Sequence, residues 1–424
     1  MKDRASSHRI GLKSSHLATA MRSGEMVPLA RAILEMAGPL CLATEDRGLV
    51  AAAILARLCG GPELILPPGL GTNMLEHLAR QLPGLRLLHT RPHPIDAPIR
   101  LCPGWQEREL LRIFTGGTTG RPAIWPKTGL NLLAEARYLC QRFAIGPRDT
   151  ILATVPPCHI YGLLFSVLIP LVSGAGVIPE KPLFPAEIRE AARQHRATVL
   201  VSVPPHYQAL RDTPLDCADL RLAFSSAGPL GKTENRDFRH RNQVAVIEIF
   251  GSTETGGIAS RNRQAGEQGF TPFAPVQWRI HDDLLLVRSP FLSPTLELDD
   301  EGWFHSTDRV TRLSGDAFLP RGRADNIAKV GGKRVDLDEV AQTIRKMAGV
   351  RDCAVVALPE RGGRGSRIAA LVAGEAEPDQ VRRELARLES HARPRTIRVV
   401  STLPVRANGK HDRAAILELL HDRA

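Results

Sequence analysis

Hydrophobic spacing along the chain switches between two periods. Residues 27–45 and 47–59 carry apolar positions at helical spacing, interrupted by the short apolar run Pro39-Leu-Cys-Leu-Ala43. Leu64–Pro67 and Leu85–Leu88 read as strands on either side of a helical stretch at 74–82. The run Leu110, Leu111, Ile113, Phe114 then enters Thr115-Gly-Gly-Thr-Thr-Gly120, the pattern of a short buried strand running into a turn. Beyond it the spacing predicts helices over 129–143, 160–172, 185–196 and 205–212, and strands over 150–155, 198–203, 221–226 and 244–250. Alternation of this kind predicts an α/β fold: a large N-terminal layered α/β domain.

The pattern changes near residue 265. From there to 321 short apolar runs such as Leu284–Val287 are broken by Pro, Gly, Asp and Ser, as in a β-rich subdomain. After a connector at Arg321–Asp325 the spacing predicts a helix at 336–347, strands at 353–358 and 367–373, a helix at 378–391 and a strand at 396–400. These form a small α+β C-terminal domain. The expected division is a polar, basic tail (1–24), an N-terminal domain (25–321, with 265–321 its β-rich part) and a mobile C-terminal lid (322–424).

Composition narrows the class. The chain has 424 residues, 43% hydrophobic and 24% charged, enough to bury a large core. A net charge of +11 favours acidic partners: nucleotides, carboxylates, an acidic carrier protein or nucleic acid. The 4 Trp and 3 Tyr do not interleave with basic clusters, which argues against nucleic acid. The 7 cysteines are scattered singly without a C-x-x-C pair, as expected in a reducing compartment. With neither an apolar leader nor a run of about 18 apolar residues, the expectation is a cytoplasmic protein without a membrane span.

Five stretches carry candidate chemistry. In the loop Thr115–Gly120, glycines let main-chain N–H groups approach a polyphosphate and threonine hydroxyls add donors; a plain polar turn is the alternative. Glu254 lies on a glycine-flanked turn, Phe250–Gly257, at a strand end. It suits Mg²⁺ beside phosphates, which takes one or two protein oxygens, or else it caps a helix. His159 stands alone at a strand-to-helix junction, where a structural histidine is the commoner case. Asp308 could accept two ribose hydroxyls or be a turn residue. Lys410 follows a turn-forming Asn-Gly and is catalytic only if a partner site exists.

Taken jointly and in order, these stretches resemble the adenylate-forming superfamily of acyl-CoA synthetases, aryl-CoA ligases and peptide-synthetase adenylation domains. FTGGTTGRP (114–122) resembles its phosphate loop, PPCHIYGL (156–163) its histidine segment, and SSAGPL (225–230) its adenine loop. IFGSTETGG (249–257) is similar to its Y-G-x-T-E turn and FHSTDRV (304–310) to its T-G-D ribose motif. GRADNIAKVGGKRV (322–335) is similar to its hinge segment and LPVRANGKHDR (403–413) to its N-G-K lysine.

The resemblance implies a two-step reaction. ATP and a carboxylic acid give an acyl-adenylate and pyrophosphate, after which the small domain turns about the hinge and a thiol takes the acyl group. It implies ATP and Mg²⁺ as cofactors, with CoA or the phosphopantetheine of an acyl carrier protein as acceptor. By residue, Lys410 would bridge the acid and the α-phosphate, Glu254 would hold the metal, and Thr115, Gly116, Gly117, Thr118, Thr119 and Gly120 would grip the β- and γ-phosphates. Gly228 with Phe250 would flank the adenine, Thr253 would contact the nucleotide, and Asp308 with Arg323 would hold the ribose. His159, Tyr161, Gly162, His206 and Gly251 would meet the acid. Asp325 matches the hinge position, and Lys329 and Gly332 the segment used in the thioester step.

There are departures. Ala123 replaces the usual lysine after the loop proline, with Lys127 four residues on; Phe250 replaces a tyrosine and Asn326 the second hinge acid. The first subdomain is short, similar to the AMP-ligases of aryl-polyene and xanthomonadin-type pigment clusters. An apolar pocket formed by Ile160–Leu164 and Val203–Leu210 would suit an aryl or medium acyl acid. The alternative is a non-catalytic relative that binds nucleotide or a carrier protein.

Overall fold

The computed structural model describes residue 17 and residues 19–115, 123–330, 333–359, 366–406 and 409–421. Gly116, Gly117, Thr118, Thr119, Gly120, Gly332 and the side chain of Lys329 lie outside the described residues. The chain divides into two compact units, one running to Gln277 and including Val287–Phe304, the other Trp278–Leu286 with His305 onward.

In the first unit α1 (Met26–Leu34), β1 (Leu40–Leu42), α2 (Arg47–Leu58), β2 (Leu64–Leu66), α3 (Thr72–Gln81), β3 (Arg86–Leu88), β4 (Glu109–Thr115) and β5 (Ala123–Thr128) supply a sheet of order β3-β1-β2-β4-β5. Its strands are parallel except β5, which runs back along β4 with Thr115 opposite Ala123. β1 and β2 are unbroken buried apolar triplets, as expected where helices cover both faces. Asp46 caps α2 by accepting from Leu49 N at 3.1 Å.

The second sheet uses α4 (Gly129–Phe143), β6 (Thr150–Ala153), α5 (Ile160–Leu163), α6 (Ile169–Ser173), β7 (Gly176–Val177), α7 (Pro185–Gln194), β8 (Val199–Ser202), α8 (Pro204–Ala209), β9 (Leu222–Ser225), α9 (Lys232–Asn242), β10 (Val246–Ser252), β11 (Gly256–Arg261) and β12 (Thr271–Pro272). Its order is β12-β11-β10-β9-β8-β6-β7. Leu152, Leu200, Ala223 and Val246 form one face of its core against Ile188, Tyr207, Leu210 and Phe238. Arg47, buried at the start of α2, ties the layers by donating to the carbonyls of Ala153 (2.7 Å), Ile178 (2.6 Å), Pro179 (3.0 Å) and Glu180 (2.9 Å).

Three elements here depart from the expected pattern. The helix expected over 160–172 is α5 and α6 joined by a π-helical turn at Leu164–Leu168. Pro170 has no N–H to donate, and Ser166 bonds back to Gly162 O at 2.7 Å, so the ladder widens there. α9 gave no periodic signal because its sequence is almost wholly polar, with Asn235 and Phe238 its buried residues. β11 is buried throughout, and its Gly-Gly-Ile-Ala-Ser-Arg reads locally as an extension of the turn.

Next come β13 (Gln277–His281), β14 (Leu284–Arg288), β15 (Phe304–Arg312) and β16 (Phe318–Arg323), in the order β13-β14-β15-β16. The second unit continues with the hairpin β17 (Ile327–Val330) and β18 (Lys333–Asp336), α10 (Leu337–Arg345), β19 (Val350–Pro359), β20 (Ser366–Gly374), α11 (Pro378–Leu385), β21 (Thr396–Val400) and α12 (Arg413–His421). The sheet β19-β20-β21 buries Ile368 and Val372 under Val340, Ile344, Val381 and Leu385 on one face. On the other it buries Leu358 and Leu371 under Ile416 and Leu420. The fold is thus α/β, with a large N-terminal and a small C-terminal domain. Among the described residues no helix is long and apolar enough to cross a membrane.

Candidate active site

The Glu254 turn joins β10 to β11. A register shift between Phe250 and Gly251 pulls the strands together, and a Cβ on Gly251 would lie 2.3 Å from Gly256 O. Gly251 is therefore required by the hairpin, independently of any ligand. Within the turn Ser252 and Thr255 hold one another: the hydroxyls lie 2.8 Å apart, and each main-chain N–H donates to the other's hydroxyl. Thr253 and Glu254 are half-buried.

Support comes from below. Lys127 donates to Glu254 O at 3.0 Å and to Phe291 O at 2.8 Å, and Ser293 N donates to Glu254 O at 2.8 Å. The sequence left open what a lysine four residues beyond Ala123 does; it is buried on two main-chain carbonyls. Glu135 accepts from Gly257 N at 2.7 Å. Burial pushes the Lys127 ammonium down to about 8 and the Glu135 carboxyl up to about 7, while each charge opposes the other's shift. Glu135 was missed; its signal is a carboxylate among Leu132, Leu133, Ala136 and Leu139 on the buried side of α4.

Mg²⁺ fits this turn in one way. Among the described residues no group of three or more His, Cys, Asp or Glu could hold a metal unaided. A lone half-buried carboxylate suits a cation that takes its remaining oxygens from phosphates and water. Thr115, the last residue of β4, bonds back to Ala123 O at 3.5 Å.

β6 lies between β7 and β8, so the chain leaves it first to one side and then to the other, a switch point where α/β sheets bind ligands. Thr154, Ser202 and His206 stand at those strand ends. His206 Nδ1 is 2.7 Å from Thr154 Oγ1 and 3.4 Å from Ser202 Oγ, and the hydroxyls are 2.8 Å apart. Burial, and then the nearby Lys181 ammonium, hold the imidazole below its ordinary value. Val203, Tyr207 and Leu210 correct the expectation of an apolar pocket over Val203–Leu210. They are core side chains, with Tyr207 donating to Phe224 O at 2.8 Å, because α8 turns them onto the sheet. His159 is half-buried and precedes α5, its carbonyl accepting from Leu163 N at 2.7 Å. Tyr161 packs on Phe165 at 5.2 Å. Gly162 admits no side chain, since a Cβ would lie 2.0 Å from Pro156 O.

Phe250 packs on Phe270 at 5.4 Å, and Phe270 lies under the Arg261 guanidinium at 4.2 Å. Arg261 is fixed in turn by Glu248 at 2.9 Å. Gly228 is exposed, and the left-handed residue of its loop is Ala227 (φ 70°). Ala227→Gly is expected to raise stability by about 1 kcal/mol, read from the urea midpoint, because glycine carries no left-handed penalty.

In the second unit Asp308 and Arg323 are cross-strand partners on β15 and β16, with oxygen and nitrogen 3.7 Å apart. Arg323 also binds Asp325 at 2.9 and 2.7 Å, and its guanidinium holds the Asp325 carboxyl below the usual range. Asp308 and Asp325 thus share one arginine. Lys410 is exposed on a tight turn closed by Arg406 N on Lys410 O at 2.8 Å, with Gly409 at φ 76°. His411 anchors the turn through Asp352 Oδ2 at 2.8 Å.

Two family models match, in order: AMP-binding enzyme over residues 94–290, and AMP-binding enzyme C-terminal domain over 339–410. The chain belongs to the adenylate-forming superfamily of AMP-binding enzymes. It is 26% identical to the sulfoacetate–CoA ligase of Cupriavidus necator over 80% of this chain and 71% of that one. It is 29% identical to a p-hydroxybenzoic acid–AMP ligase of Mycobacterium tuberculosis over 72% of this chain and 48% of that one. Its fold is similar to ATP-bound MatB from Rhodopseudomonas palustris, with TM-score 0.80 and 20% identity over 94% of this chain and 93% of the other. The chain is thus an AMP-forming ligase by class, and the catalytic reading stands over that of a non-catalytic binder.

Proposed function

We propose that the chain condenses an aryl or acyl carboxylic acid with ATP, and then passes the acyl group to the thiol of CoA or of a carrier protein's phosphopantetheine. The observation that carries this reading is the order of the two family matches. The first spans the Gly/Thr loop and Glu254, and the second ends on Lys410. In the first step a carboxylate oxygen attacks the α-phosphorus, the bond to the bridging β-oxygen breaks, and pyrophosphate leaves. Two anions meet there, so fixed positive charge must be aimed at the in-line transition state. Lys410 supplies it, and Thr115 to Gly120 grip the departing phosphates. Mg²⁺ held by Glu254 would offset phosphate charge.

Asp308 and Arg323 orient the ribose, Gly228 and Phe250 flank the adenine, Thr253 contacts the nucleotide, and His159, Tyr161, Gly162, Gly251 and His206 meet the acid. In the second step a thiolate attacks the acyl carbon and AMP leaves with the bonding pair. Asp325 serves as hinge for the 322–424 lid, with Lys329 and Gly332 on the segment used in this step. Relatives named as CoA ligases support CoA, whereas the charge of +11 supports an acidic carrier protein, as would a kinship with pigment-cluster AMP-ligases.

The test is acid-dependent exchange of labelled pyrophosphate into ATP with benzoates, hydroxybenzoates, cinnamates and fatty acids. Accepted acids are then offered CoA and pantetheinylated carrier protein. At least one acid is expected to support exchange; silence across the panel, with ATP bound, overturns the proposed substrate class.

A further inference from the structure

We propose that Lys127 and Glu135 are positioning residues for Glu254, a buried pair that holds its turn in the geometry a phosphate-bound cation needs. The inference rests on the role given to Glu254 above.

The pair grips the turn at both ends. Lys127 takes the carbonyl of Glu254 itself, and Glu135 takes the N–H of Gly257. Both side chains are fully enclosed, at 1% and 2% exposure. The glycines of the turn are shaped to this pair. Gly256 has φ +68° and a Cβ there would lie 2.7 Å from Glu135 Oε2, while one on Gly257 would lie 2.9 Å from Glu135 Oε1. The Gly-Gly that ends the motif is therefore the space through which the carboxylate reaches the main chain.

The same lysine links the two sheets. It lies on β5, the strand that leaves the Gly/Thr loop, whereas Glu254 belongs to the other sheet. Its second carbonyl, Phe291, lies on a segment fastened twice more: Asn131 Nδ2 donates to Pro290 O at 2.7 Å, and Ser293 Oγ to Pro126 O at 2.7 Å. Ser252 and Thr255 already close the turn locally, so a connection between two strands has no need of buried charge. Taking two charges out of water commonly costs as much as their attraction returns, and a neutral replacement of both is often as stable. What such a replacement loses is the directed bonds to Glu254 O and Gly257 N.

That asymmetry defines the experiment. Lys127→Met/Glu135→Gln removes both charges, and Lys127→Arg keeps the charge while displacing the donor. Purified proteins are compared by thermal melting, by electron paramagnetic resonance of Mn²⁺ in the presence of ATP, and by exchange kinetics. The double variant is expected to melt near wild type while binding Mn²⁺–ATP about tenfold to a hundredfold more weakly, the usual scale for loss of support behind a metal ligand. Its KM for metal–ATP should rise while that for the acid stays put. If the double variant melts low, Lys127→Arg carries the same expectation. Wild-type Mn²⁺–ATP affinity in whichever variant melts like wild type overturns the inference, as does an equal rise in both KM values. Wild type that binds Mn²⁺–ATP but exchanges with no acid overturns the proposed reaction and not this pair. Wild type that binds no Mn²⁺–ATP overturns the role of Glu254 and the pair's with it.

Discussion

Alanine at Lys410 is expected to remove most acid-dependent pyrophosphate exchange, by roughly a hundredfold to a thousandfold, the scale for deleting one preorganised donor at a developing charge. The chemistry brings an acid carboxylate to a phosphate ester, and no neutral group of similar reach offsets that repulsion. Stability should not follow activity down. Lys410 is exposed, and substitutions at exposed sites usually change stability by no more than about 0.5 kcal/mol. An unchanged melting temperature with lost exchange is therefore the expected pair of results. Exchange at the wild-type rate in Lys410→Ala would mean that the adenylation lysine lies elsewhere.

The second large effect is on folding. Gly162→Ala puts a methyl 2.0 Å from Pro156 O and 2.8 Å from its carbonyl carbon, atoms of main chain that cannot swing aside as a side-chain tip does. Gly162 is further held by Ser166 Oγ on its carbonyl at 2.7 Å. The strand end and the helix must separate, and a loss of about 3 kcal/mol or more is expected in the urea midpoint, among the larger effects of one methyl. A loss under about 0.5 kcal/mol, ordinary for a surface site, would contradict the close approach of Pro156 and Gly162.

What could be read early and what could not follow from the range of the interactions. The Gly/Thr loop, the Glu254 turn and the Asn-Gly before Lys410 are short-range patterns in the sequence, and the Glu254 turn stands at the end of β10. The parallel strands showed as unbroken apolar runs because both their faces are covered. α9 escaped because burying Asn235 and Phe238 in a polar helix leaves no periodic stripe. Val203, Tyr207 and Leu210 were assigned to a pocket because hydrophobicity marks burial without saying against what.

By itself, then, the sequence determined the alternation of strands and helices, the order of the motifs and the family they belong to. All of these are written in neighbouring residues. The tertiary structure alone decided what stands behind those motifs. Lys127 reaches partners 127 and 164 positions away and Glu135 one at 122, separations over which no local pattern carries information. Lys127 and Glu135 are enclosed because the fold closes around them, and Gly256 and Gly257 are small because the Glu135 carboxylate needs the space.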